Sequence, residues 1–176
     1  ATGSELQPIA QWDFSKGLND LIGGLPGKQV GEVVVSETGL KLGGKGFVMT
    51  DPLPFGLSEK TLEAWVQVDD LAQQGGGVFS IQDLQGGVFD ALVLGEQQPR
   101  HWLAGSDNFR RTEGLGGPAE AASDGQPVIH MALVYDSEGT IGAYRNGKPY
   151  GKAYRKGPAV SFASGQSQLV FGLRHG

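Results

Sequence analysis

Between Thr140 and Tyr150 the chain reads Thr-Ile-Gly-Ala-Tyr-Arg-Asn-Gly-Lys-Pro-Tyr, two strand-like arms that meet at Asn146-Gly147. A two-residue connection between antiparallel strands requires positive φ at both central positions, which Asn and Gly tolerate best. The dipeptide therefore predicts a tight β-hairpin. Just upstream, Asp136-Ser-Glu-Gly139 supplies a second turn that joins Val128–Tyr135 to Thr140–Arg145. The whole stretch predicts a three-strand antiparallel meander.

The rest of the chain repeats this grammar. Thr61–Val68 alternates strictly: Leu62, Ala64, Val66 and Val68 share one face, and Glu63, Trp65 and Gln67 the other. The first face reads as core and the second as a partly wet sheet surface. Further strands are predicted at Ile9–Phe14, Val30–Val35, Leu40–Leu42, Gly46–Thr50, Val78–Gln82, Val88–Leu94, Arg100–Ala104, Pro149–Tyr154, Ala159–Phe162 and Gln168–Phe171, each bounded by turn residues. Glycine, 30 of 176 residues, is spread without a three-residue period, which excludes collagen and suits many tight turns. So many short strands without helical periodicity predict an all-β fold, a two-sheet antiparallel jelly-roll sandwich, with residues 1–176 as one domain. Leu71–Gly77 and Ser106–Gln126 read as loops, the second with a short helix at Pro118–Ala122.

A net charge of −5 argues against nucleic acid as a partner, since a backbone binder needs a basic face. No apolar run is long enough for a membrane-spanning helix. The absence of cysteine removes disulfides, thiolate metal sites and cysteine nucleophiles from consideration. The chain begins at Ala1 without a signal peptide and is read as a piece of a longer product.

Four strings in order resemble laminin G-like modules of the concanavalin A-like superfamily. They are Ile9-Ala-Gln-Trp-Asp-Phe14, Thr61-Leu-Glu-Ala-Trp-Val-Gln67, His130-Met-Ala-Leu-Val-Tyr-Asp136 and Tyr144-Arg-Asn-Gly147. Gly105-Ser-Asp-Asn-Phe-Arg-Arg-Thr112 and Tyr150-Gly-Lys-Ala-Tyr-Arg-Lys-Gly157 look like the subgroup found in large secreted or periplasmic bacterial multidomain proteins. The resemblance implies an extracytoplasmic binding module. It also implies one more strand after Leu169-Val-Phe-Gly172, which this piece of chain is expected to lack.

Glycosidases of that superfamily use Glu-x-Asp-x-x-Glu on one strand, and no Glu here is followed two residues later by Asp. Asp13, Asp51, Asp90 and Asp107 look isolated, so the carboxylate pair that glycoside hydrolysis needs has no sequence support. His101, His130 and His175 lack zinc-protease spacing. No cofactor is expected. Relatives bind calcium through loop carboxylates, which makes Asp69, Asp70 and Asp83 the candidate ligands; the plainer reading is that they are solvated.

The densest unusual stretch is Arg100–Thr112. His101, Trp102, Asp107, Asn108, Arg110 and Arg111 are the candidate ligand-binding residues, since an aromatic ring stacks on sugars while Arg, Asn and Asp bond hydroxyls. The competing reading places Trp102 and Phe109 in the core, and one of Arg110 and Arg111 inward with a partner such as Asp107. Trp65 is read first as a sandwich aromatic, with a groove-lining role as its other reading. The basic run Arg145, Lys148, Lys152, Arg155 and Lys156 reads as a solvated face that discourages edge pairing. The expected function is a non-catalytic module that binds carbohydrate, or docks a larger protein or neighbouring domain to it. The alternatives are a protein–protein module without a soluble ligand and an atypical glycoside hydrolase.

Overall fold

A computed structural model describes residues 6–122 and 126–176, which fall into two compact units, Ala1–Asp51 and Pro52–Gly176. In the first unit, β1 (Gly27–Ser36) and β2 (Gly39–Thr50) form one long antiparallel hairpin. The predicted Leu40–Leu42 and Gly46–Thr50 are thus parts of a single strand. The glycines between them do not end it, because Gly31 and Gly44, at φ +72° and +76°, accompany the register shift between Gly31 and Val33. The predicted strand at Ile9–Phe14 does not form. Its backbone bonds go to a neighbouring loop instead: Gln11 N donates to Asp20 Oδ1 at 2.7 Å, and Leu21 N to the Gln11 carbonyl at 2.7 Å.

The second unit holds two antiparallel sheets. One has the order β11 (Ser167–Phe171), β4 (Gly76–Asp83), β5 (Phe89–Leu94), β6 (Trp102–Ser106). The other has the order β10 (Tyr154–Arg155), β8 (Thr140–Arg145), β7 (Ile129–Tyr135), β3 (Lys60–Val66), with β9 (Lys148–Pro149) also on β8. The chain is therefore all-β, with paired antiparallel layers as its alternation requires. Leu62, Ile81, Leu92, Leu94, Met131, Leu133 and Ile141 form the core, each almost wholly removed from water. β5 is buried at every position, which explains why Phe-Asp-Ala-Leu-Val-Leu reads as a run rather than an alternation.

The meander is present as expected. Asn146 and Gly147 sit at φ +50° and +74° between the paired residues Arg145 and Lys148, as in a type I′ turn. At the preceding turn Asp136 Oδ1 accepts from Glu138 N at 2.9 Å and Thr140 N at 2.7 Å.

Four other segments differ from expectation. Pro149–Tyr154 is not one strand: β9 and β10 both lie along β8, and Gly151, at φ +71°, bulges the chain between them. Ala159–Phe162 contributes only an isolated bridge, Leu57 to Phe162. Pro118–Ala122 is not helical, because Glu120 N is drawn to the Arg100 carbonyl at 2.8 Å. The Leu71–Gly77 loop ends early, giving Gly76 and Gly77 to β4.

Two predictions follow from the backbone. A Cβ on Gly147 meets no atom within 4 Å, whereas one on Gly151 would lie 2.0 Å from the Leu115 carbonyl oxygen. Gly147→Ala should cost only the left-handed penalty of about 1–2 kcal/mol. Gly151→Ala should cost clearly more, measured as the shift in urea midpoint. In the first unit, burial raises the Asp20 pKa, but bonds from the backbone N–H groups of Gln11, Ile22, Gly23 and Leu25 outweigh this and hold it below the ordinary carboxylate value. A carboxyl depressed on folding stabilises fully above its unfolded pKa of about 3.9 and loses that contribution as pH falls through the lower folded value. Asp20→Asn should therefore flatten the acid limb of stability below about pH 4, measured by thermal unfolding across pH.

Candidate functional site

The loop that leaves β6 turns inward through a short 3₁₀ turn at Asp107–Phe109. Asn108 and Phe109 both take positive φ, +47° and +55°, unusual for a side-chain-bearing residue and costly for Phe. The turn leaves Arg110 exposed and sends Arg111 inward. There Arg111 Nε bonds Asp90 Oδ1 at 3.0 Å, and its Nη2 bonds Asp107 Oδ1 and the Phe89 carbonyl, each at 2.8 Å. Lys60 Nζ reaches the other oxygen of Asp90 at 2.9 Å and sits over the Tyr135 ring, 4.4 Å from its centroid. Burial lowers the Arg111 pKa, but Asp90 and Asp107 outweigh it and raise it on balance. Burial also pushes the Tyr135 hydroxyl well above the ordinary phenol value. Asp90 and Asp107, isolated in sequence, are thus joined in a buried array of two cations and two anions.

Trp102 is buried at 1% exposure. Its Nε1 donates to Glu120 Oε1 at 2.7 Å, and Arg145 holds the same carboxylate through Nε at 2.7 Å and Nη2 at 2.9 Å. Burial raises the Glu120 pKa, yet the bonds from Arg145 and Trp102 leave it lowered. The Tyr150 hydroxyl accepts from Trp102 N at 3.1 Å and donates to the Pro118 carbonyl at 2.7 Å. Trp102 therefore anchors the long loop from inside.

The six residues expected to bind ligand do not form one surface. Trp102, Asp107 and Arg111 are interior, and Asp107 and Arg111 pair with each other. His101 lies at the opposite end of β6 from Asp107, its Nδ1 2.9 Å from the Pro99 carbonyl. Asn108 and Arg110 are exposed on the turn. Of the calcium candidates, both Asp83 oxygens accept backbone N–H groups of the β4–β5 turn, and Asp70 Oδ1 accepts from Ala72 N at 2.8 Å. Among the described residues no cluster of three metal-ligating side chains occurs.

A different surface stands out. Trp65, 68% exposed, does not lie inside the sandwich. It stacks on His130, its direct cross-strand partner, with ring centroids 4.5 Å apart. His130 Nε2 is 3.0 Å from Glu63 Oε1. One register step along, Glu63 pairs with Ala132, and Ala132 with Tyr144, which is 41% exposed. The outward face of β3, β7 and β8 is thus an aromatic platform around a small residue. Trp65 thus lies on the wet face that the alternation of Thr61–Val68 predicts, and the same parity on β7 and β8, where Met131, Leu133, Ile141 and Ala143 point inward, puts His130 and Tyr144 outward beside it.

Among the described residues no helix is long and apolar enough to cross a membrane. A family model of the laminin G type, described as the concanavalin A-like lectin/glucanases superfamily, matches residues 42–175. No curated protein matches the chain in sequence. Among solved structures it is similar to botulinum neurotoxin type C, whose cell entry is described as dependent on interaction with two ganglioside molecules. The identity is 12%, the TM-score 0.57, and the match covers 89% of this chain and 40% of that one. A SAP-like pentraxin from Limulus polyphemus matches at 16% identity and TM-score 0.43, over 70% of this chain and 55% of that one. Porphyranase B from Zobellia galactanivorans matches at 12% identity and TM-score 0.39, over 87% and 65%. The chain thus spans less than half of the neurotoxin chain.

The buried array makes Asp90 a structural residue. Asp90→Asn leaves Lys60 and Arg111 buried with one carboxylate between them, and should destabilise the fold by about 3–5 kcal/mol. Denaturant unfolding of the variant measures this, with Arg110→Ala, at the exposed neighbour, expected within about 0.5 kcal/mol of the parent.

Proposed function

The chain belongs to the concanavalin A-like lectin/glucanases superfamily, and on that premise we propose that it is a non-catalytic module that binds carbohydrate through the outward face of β3, β7 and β8. The observation that carries this reading is Trp65, held by His130 yet largely open to solvent. A large exposed aromatic costs solvation and gains nothing from the core, so its natural role is to meet a partner. An indole braced from one side presents a flat apolar surface to the C–H groups of a sugar ring. Glu63, on the same side of β3, and Gln67, exposed just past its end, offer polar groups to hydroxyls.

This moves the site off the Arg100–Thr112 loop, whose Trp102 and Arg111 are engaged inside. The non-catalytic part is supported by the state of the carboxylates. Asp90 and Asp107 come together, but both are buried and bonded to Arg111, so neither can flank a glycosidic bond in water's reach. In a longer protein such a module tethers its parent to a glycan outside the cytoplasm. A second reading, a docking face for a neighbouring domain, is favoured by Val128, 60% exposed just before His130, because exposed apolar and aromatic groups together also suit protein interfaces.

A glycan array separates the two. Retention of at least one sugar class is expected, with Trp65→Ala lowering affinity tenfold or more and leaving the melting temperature near that of the parent. Arg110→Ala and Asn108→Ala should bind normally. An array with no retained glycan, or binding that depends on Arg110 and not on Trp65, would count against the proposal.

A further inference from the structure

Resting on the carbohydrate reading, we infer that this face takes a linear, uncharged oligosaccharide laid diagonally across β3, β7 and β8, with Trp65 under one ring, Tyr144 under another and Ala132 as the floor between them.

The path follows from register. Trp65 pairs with His130, while Glu63, Ala132 and Tyr144 share the neighbouring row. With strands about 4.8 Å apart and about 3.4 Å of rise per residue, the Cα atoms of Trp65 and Tyr144 are separated by about 12 Å. A single pyranose ring does not span that gap, so only a chain can use both aromatics. Ala132 lies on β7 between the two, and the next outward pair is Val134 with Gly142. Ala132 is itself only 6% exposed beneath its neighbours, so a larger side chain at position 132 would push them up into the path.

The charge preference follows from which side each ion takes. Of the charged side chains on these strands, Lys60 and Arg145 turn inward to Asp90 and Glu120. Glu63 remains outward, half-exposed, with His130 as its partner. An anionic sugar passing this carboxylate would meet its repulsion, and the exposed cations of the same sheet, Lys148 and Arg155, stand on β9 and β10 beyond β8.

The test is calorimetric titration of the whole chain with gluco-, manno-, galacto- and xylo-oligosaccharides, from the single sugar to the hexasaccharide. A uronic-acid series of equal lengths runs beside them. In the series that binds, affinity should rise about tenfold once the chain is long enough to reach Tyr144, and then level off. Tyr144→Ala should remove that rise, while Tyr144→Phe keeps it. Ala132→Leu should weaken the long chains more than the single sugar, and the uronic series should bind at least tenfold more weakly. Affinity independent of length, a rise that survives Tyr144→Ala, or equal binding of the uronic series would overturn the diagonal path while Trp65 dependence keeps the carbohydrate reading standing. If no series binds, the carbohydrate reading falls and this inference with it.

Discussion

One carboxylate holds three parts of the larger unit together. Asp90 lies on β5, at 1% exposure, between Lys60 of β3 in the facing sheet and Arg111 of the long loop. A buried carboxylate without partners would cost several kcal/mol, so this one must be matched by cations brought from elsewhere. Lys60 supplies a cross-sheet tie and Arg111 ties down the loop. Arg111 in turn draws in Asp107, and its backbone N–H bonds Ser106 Oγ at 2.9 Å while its carbonyl accepts from the Tyr154 hydroxyl at 2.9 Å. A segment with little regular secondary structure is thereby tied at Arg111 to both sheets. The left-handed turn at Asn108 and Phe109 is the local strain that this arrangement overcomes.

That dependence explains what could be read from the sequence. Strands with strict alternation were legible: Thr140–Arg145 forms at the expected bounds, and Thr61–Val68 has its two faces in the expected sense. The Asn146-Gly147 bend was legible because its conformation is demanded by the turn itself. Segments whose backbone bonds go to distant side chains or loops were not. Ile9–Phe14 alternates well enough for a strand, yet Asp20 takes its N–H. Pro118–Ala122 has helix-forming residues, yet Arg100 and Trp102 hold Glu120 extended. Such partners lie nine or more residues away, and no local pattern encodes them.

The site divides in the same way. That one of Arg110 and Arg111 would turn inward and find Asp107 was readable from their adjacency, and the structure shows Arg111 doing so. The second partner, Asp90, was not readable, because a lone acid within an apolar run gives no sign of what crosses from the other sheet. Trp102 illustrates the converse: an aromatic among polar residues looks like a ligand platform until Glu120 is seen bonding its indole N–H. For Trp65 the alternation points outward, while the usual place of a large aromatic in a sandwich is the core. The structure keeps the parity and exposes the ring.

β3 therefore carries charge where apolar residues are usual and an aromatic where polar ones are usual. Lys60 is buried toward the facing sheet, and Trp65 stands in solvent on the other side. The two side chains are on opposite faces of one strand and share no bonded partner. Groups without common partners act nearly independently on stability. The inward face, through Asp90, fixes the position of β3 against β5. The outward face carries its aromatics apart from that array, with Trp65 stacked on His130 and His130 beside Glu63. A platform built this way is rigid through its backbone rather than through its side chains. That rigidity keeps the spacing between Trp65 and Tyr144 constant, and any selectivity for ligand length requires such constancy.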